Sequence, residues 1–350
     1  MTTDKQPIIR QIQYLRGFAV ILVVLAHLHQ SNVRFFDTVL FGDFAYFGFG
    51  GVDVFFVISG YIIHRLYGGL QGLNFQFILQ RANRIYPLYW VFTAAALIGY
   101  FTIGDALTRD AGELDLIGSL SLIPTEQAPI LMVGWTLTHE LYFYAAYAVW
   151  LALPRTARPW AAAGWGGLTL LAAVFFPQAT SPWLALVLSP FNLLFLGGAL
   201  LAQFDNRLRD LRWLALAIAS AGAVYAMVSL HASGLAGLEA PVARVALLAP
   251  FALGCVAAAL AWKPILPPLA TQIGDWSYAI YLSHILLIGL LARLIPSALG
   301  ASVWSALIFF AAGLLGCIGL GFVSHKLLEL PLLRAGKAGI RALFSRHEGG

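Results

Sequence analysis

Charge is what this sequence has least of. Only 11% of its 350 residues are Asp, Glu, Lys or Arg, where a soluble domain carries about 25%. That shortage excludes a soluble enzyme and a disordered, solvated chain alike. Cysteine is nearly absent too. Cys255 and Cys317 both lie in apolar runs, which excludes a disulfide scaffold and reads as two small packed side chains. There is no internal repeat and no low-complexity tract. The first apolar run carries Arg16 and His27 and lacks a small-residue cleavage site, so it is read as a retained span and not a signal peptide. What fills the chain instead is apolar: 60% of residues are hydrophobic, and the mean hydropathy is +0.81.

A spanning helix needs about 20 apolar residues. Such stretches occur at 12–30, 44–66, 85–104, 131–153, 160–177, 182–202, 212–231, 242–262, 275–295 and 302–325. The pattern predicts an all-α, polytopic integral membrane protein with about ten transmembrane helices. Lys and Arg collect on the cytoplasmic side of short loops. With the N-terminus inside, only Arg34, Arg109, Arg244 and Arg293 of the 21 basic residues fall outside. Both termini are therefore expected in the cytoplasm. The segment 1–11 is short, and the tail 326–350 is too short for a domain. One membrane domain over 1–350 is expected to carry the function. The net charge of +5 is assigned to topology and to membrane lipids with anionic headgroups, with no nucleic acid partner. The longest outer segment, Asp105 to about Ile130, holds an acidic excess and reads either as a solvated loop or as a lid.

Ionisable residues at membrane depth are costly and usually functional. Arg16 and His27 share the first span. Eleven residues at about 100° each end about 20° past three turns, so both project from one face, about 16 Å apart along the axis. Arg16 sits near the inner boundary and His27 in the outer third. That spacing suits an extended thioester: phosphates on the guanidinium, and the acyl end toward an imidazole acting as general base. Gly50 to Gly60 in the second span holds Asp53, expected to face a cavity or a cation, and Ser59-Gly60, which can present donors to a ligand. Arg81 and Arg84, read in the loop before the third span, share a helix face at i and i+3; with Arg16 they are expected to clamp phosphate. In the fourth span Glu140 is expected to orient His27, as a carboxylate does in a His-centred triad, with His139 secondary. Tyr278, Tyr281 and His284 in the ninth span form a polar stripe, either lining a cavity or making an interhelical seam. Glu329 and Pro331 read as a helix stop. No metal site is predicted.

These residues, in this order, resemble acyltransferase family 3. The signatures are Arg16 with ten residues before His27; Gly51-Val52-Asp53-Val54-Phe55-Phe56-Val57-Ile58-Ser59-Gly60; Arg81-Ala82-Asn83-Arg84; Trp135-Thr136-Leu137 with Glu140; and Tyr281-Leu282-Ser283-His284. The stretches Ile12 to Gly17, Arg84 to Trp90 and Val133 to Leu137 look most like its exopolysaccharide acetyltransferase branch. The resemblance implies a membrane enzyme that moves an acyl group, commonly acetyl from acetyl-CoA, to a hydroxyl of an extracytoplasmic polysaccharide or lipid-linked saccharide. It further implies a bacterial inner-membrane location. Catalysis falls to His27 and Glu140, donor binding to Arg16, Arg81, Arg84 and Ser59, and substrate contact or support to Asp53, Trp135, Tyr281 and His284. Larger members append an extracytoplasmic hydrolase-like domain, so a two-enzyme relay here is expected to need a separate partner. A proton-coupled transporter of an anionic sugar or lipid is the competing reading.

Overall fold

The computed structural model describes residues 10–72, 75–103, 114–175 and 181–345. The helices among them are α1 (Arg10–Phe35), α2 (Gly50–Tyr67), α3 (Phe75–Ile103), α4 (Leu116–Ser121), α5 (Gly134–Ala152), α6 (Arg158–Phe175), α7 (Pro182–Val187), α8 (Phe191–Gln203), α9 (Arg212–Ser233), α10 (Pro241–Trp262), α11 (Pro268–Leu299), α12 (Val303–Ser324) and α13 (Leu330–Ser345). There is no strand among the described residues. Eight stretches are long and apolar enough to cross a membrane. The chain is an all-α polytopic membrane protein. Helices α5 and α6 also lie where the sequence predicts spans but are not among the eight. Thr136, Thr138, His139, Glu140 and the tyrosines at 142, 144 and 147 lower the hydropathy of α5.

The core is built around α1, which packs against α2, α11 and α12, while α2 packs against α8 and α10. Glycines let these backbones touch. A Cβ at Gly51 would collide with the Ala19 carbonyl of α1, one at Gly60 with the Phe195 carbonyl of α8, and one at Gly274 with the Gln13 carbonyl of α1. Gly198 of α8 answers Gly60 in kind, facing the Val57 carbonyl. Close backbone approach of this sort is the usual way for helices to associate where lipid supplies no hydrophobic drive.

Two details depart from the sequence reading. Arg81 and Arg84 are not in a loop: α3 begins at Phe75 and runs through Pro87, so both sit in its first few turns. Glu329 and Pro331 do not stop the last span. A π-helical turn over His325–Glu329 joins α12 to α13; such wide turns interrupt the i→i−4 ladder just where Pro331 brings no N–H. The tail is therefore largely helical, with Arg334, Lys337 and Arg341 on it, and it meets α3 where Asn83 donates to the Leu333 carbonyl at 3.3 Å. Much of the outer segment read either as a solvated loop or as a lid, including residues 104–113, lies outside the described residues. Beside it, α4 is capped by Asp115, whose carboxylate accepts from Gly118 N at 2.8 Å.

Candidate functional site

Five helices bring most of the predicted polar residues to one interior cavity of about 840 Å³, its open mouth included. Arg16 comes from α1, Ser59 from α2, Arg81 and Arg84 from α3, Glu140 and Tyr144 from α5, with Tyr278 and Tyr281 of α11 completing the wall. The three arginines thus converge, as their spacing predicts, and none is idle. Arg84 pairs through Nη1 with Glu329, which is 1% exposed and also bonds His325 Nδ1 at 2.7 Å. Its guanidinium lies 5.2 Å from the Tyr278 ring. Arg81 donates to Tyr67 Oη at 3.2 Å and stacks over the Tyr67 and Tyr144 rings, while its buried Nε has no partner. Arg16 donates to Gln13 at 3.4 Å. Three guanidiniums around a cavity whose wall carries one carboxylate, Glu140, make an electropositive chamber suited to a polyanion.

Glu140 is where the expectation fails. It does not meet His27. Its Oε1 accepts from Ser59 Oγ at 3.1 Å and from the Tyr144 hydroxyl, on the wall of the arginine cavity. Glu140 lies six residues into α5, about 9 Å along the axis from its start, and faces the cavity that His27 does not line. His139, on another face of α5, bonds the Trp135 carbonyl at 3.0 Å and Ser189 Oγ at 3.1 Å.

His27 is buried and pairs with His284. His284 Nδ1 faces the Tyr281 and Ile280 carbonyls at 2.7 and 3.2 Å, which can only accept, so in the neutral ring that nitrogen carries the hydrogen and Nε2 the lone pair. His27 Nδ1 in turn faces the Val23 carbonyl at 3.0 Å and His284 Nε2 at 3.3 Å. Both are acceptors, so His27 Nδ1 is the protonated nitrogen, and Nε2 keeps a lone pair for another hydrogen-bond donor. The partner that sequence reasoning sought in a carboxylate is a second imidazole.

The two clusters are adjacent but separated. Thr136 Oγ1 and Tyr281 Oη, 2.8 Å apart, stand on the cavity wall, with the Phe55 ring 6.1 Å from that of Tyr281. Tyr281 is one turn from His284, ring centroids 5.7 Å apart. His27 is not on the cavity wall. Asp53 faces a cation, as its depth demands, but not one of the predicted arginines. Its Oδ2 accepts from Arg244 Nη2 of α10 at 2.9 Å. Trp135 packs its ring 5.5 Å from that guanidinium. The charge count assigns Arg244 to the outer side, at the start of the span read at 242–262; Asp53 in the second span is the signal in the sequence that a cavity or a cation lies nearby.

The chain matches the acyltransferase domain of acyltransferase family 3 over residues 9–323. It is 33% identical to the exopolysaccharide production protein ExoZ of Rhizobium meliloti over 83% of this chain and 91% of that protein. It is 27% identical to the acyltransferase MdmB of Streptomyces mycarofaciens over 91% of this chain and 90% of that one. Protein 2 in the picA locus of Rhizobium radiobacter is 31% identical over 39% of this chain and 78% of its own length. No solved structure matches significantly. A match of that extent, over a chain whose arginines and histidines stand where the motifs lead one to look, means that this protein belongs to acyltransferase family 3 and is a membrane acyltransferase.

Proposed function

We propose that the protein is an O-acetyltransferase of the bacterial cytoplasmic membrane, forming one membrane domain with both termini in the cytoplasm. It takes acetyl from cytoplasmic acetyl-CoA and delivers it to a hydroxyl of an extracytoplasmic polysaccharide or lipid-linked saccharide. The observation that carries this reading is the convergence of Arg16, Arg81 and Arg84 on one cavity whose wall residue Tyr281 lies one turn from His284 of the His27–His284 pair. The name of the Rhizobium meliloti relative supports a polysaccharide acceptor.

In this reading the arginines hold the CoA phosphates by charge-assisted, planar contacts. Arg84 does so in exchange for Glu329. Ser59 and Glu140 line the path of the pantetheine arm. The thioester passes Thr136 and Tyr281, whose mutual hydrogen bond opens to admit it, and reaches His27. There Nε2 takes the proton of the acceptor hydroxyl as the oxygen attacks the thioester carbonyl. His284 holds the Nδ1–H of His27, as the carboxylate does in a Ser-His-Asp triad. The proton then returns to the departing thiolate.

The test uses permeabilised membranes from a deletion strain that makes the native polysaccharide, complemented with this chain. Radiolabelled acetyl should pass from acetyl-CoA to the polysaccharide, with one free thiol released per acetyl transferred. Labelling that does not depend on the protein, or CoA that neither binds nor turns over, overturns the assignment.

A further inference from the structure

Arg244 is a buried cation whose donors are largely uncommitted. It is 9% exposed. Both of its hydrogen bonds leave from Nη2, to Asp53 Oδ2 at 2.9 Å and to the Phe49 carbonyl at 3.2 Å. A guanidinium has five N–H groups, and the buried Nε has no partner. Asp53 Oδ1, fully buried, has none either. A structural ion pair is ordinarily satisfied on both sides, since each unpaired buried polar group costs about 1–3 kcal/mol. Here a matched pair is held in place by one bond between two side chains, and the rest of its capacity is kept open.

That pair borders the imidazole. The Phe49 residue whose carbonyl binds Arg244 also packs its ring against His27, centroids 4.8 Å apart. Trp135 and Phe191 lie 5.5 and 5.4 Å from the guanidinium carbon and hold its plane. Next to Trp135 in the chain, Thr136 bonds Tyr281, which leads back to His284 and His27. Arg244 thus meets the His27–His284 pair through shared neighbours, Phe49 on one side and the run Trp135, Thr136 and Tyr281 on the other.

We propose that Arg244 is a catalytic residue that stabilises the oxyanion of the acyl-transfer intermediate, with Asp53 as the positioning residue that fixes its orientation. This inference rests on the acyltransferase reading above. The acceptor oxygen forms its bond to the carbonyl carbon as His27 Nε2 takes the hydroxyl proton. The carbonyl π pair moves to oxygen, and that negative charge is met by the free N–H groups of Arg244. Collapse restores the carbonyl and breaks the C–S bond, and the thiolate takes the proton from His27. A preorganised donor at this position in a dry site is worth about 10²–10³-fold in rate.

The experiment compares Arg244→Gln, Asp53→Asn and the double variant in the membrane acetyl-transfer assay, alongside the melting temperature and acetyl-CoA affinity of each purified protein. Either single change strands a buried charge, so both singles should melt lower. The double variant removes both charges. It should regain most of the wild-type melting temperature and bind acetyl-CoA normally, yet stay about 10²–10³-fold slow. Recovery of rate along with stability overturns the proposal, because the pair is then only a tie between α2 and α10. Loss of rate fully explained by lost acetyl-CoA binding overturns it too. Should the double variant not fold, Arg244→Lys keeps the charge and its pairing but not the second donor edge; a wild-type rate in that variant overturns the proposal, and a rate at least about tenfold down supports it. Failure of the unaltered chain to transfer acetyl at all strikes the acyltransferase reading and not Arg244.

Discussion

Glu329→Gln should make the protein bind CoA more tightly. Arg84 stands on the cavity wall but is already held by Glu329. A phosphate entering the cavity must take the guanidinium from that carboxylate. The amide introduced by the substitution has the same shape and keeps an oxygen for His325, so the π-helical turn loses little, while the competing charge is gone. A hydrogen bond to a charged group contributes about 1.5–3 kcal/mol. The Arg84 side chain is 29% exposed, and water screens such pairs, so about 1 kcal/mol is the fair expectation. That is roughly a fivefold tighter Kd. Titration calorimetry of CoA into the detergent-solubilised protein reads it directly. Arg84→Ala should weaken binding, and in that background Glu329→Gln should have no further effect, since the two act on one contact. An unchanged Kd in Glu329→Gln, or a gain that persists without Arg84, would refute the exchange.

His27→Ala should lower acetyl transfer about 10²–10⁴-fold, the usual cost of a lost general base, while CoA affinity measured by the same calorimetry stays near wild type. His284→Gln should keep more of the rate than His284→Phe, because only the amide offers an acceptor to His27 Nδ1–H; equal loss in the two variants argues against the imidazole pair. Gly60→Leu should abolish a cooperative melting transition, because its side chain would have to occupy the space of the Phe195 carbonyl. Cysteine labelling at positions 3 and 347 should report the cytoplasm at both, and opposite sides would break the proposed topology.

The sequence made the class of the fold legible because composition alone carries it: a chain with so little charge and so many long apolar runs has few alternatives. It also exposed the arginine cavity, since Arg16 lies at an inner boundary and Arg81 and Arg84 share a face. It did not reveal which face of one helix meets which face of another. That is why Glu140 was matched to His27, when α5 sets it against Ser59 and Tyr144, and why His284 read as a support residue. Arg244 was lost to arithmetic. Counting it as an outer-side charge satisfies the charge bias although it falls within the span read at 242–262, and nothing local marks an Arg three residues after a helix-opening Pro241 as buried. The turn at Glu329 was misread because a proline in sequence signals a stop, whereas a preceding π turn lets the helix pass.

The glycine seams divide the molecule into a part locked backbone to backbone and a part tied to it by side chains. Helices α1, α2, α8 and α11 touch backbone to backbone through Gly51, Gly60, Gly198 and Gly274, so sliding or turning any of them drives a carbonyl into a Cα. They hold Arg16, Asp53, Ser59, His27 and His284 as a chassis. Helices α3 and α5 have no share in those seams, lean on each other, and carry Arg81, Arg84, Thr136, Glu140 and Tyr144. The Thr136–Tyr281 bond therefore has one foot on the chassis and one on that pair. Of the two residues in that bond, Thr136 is the one whose helix lies outside the glycine seams.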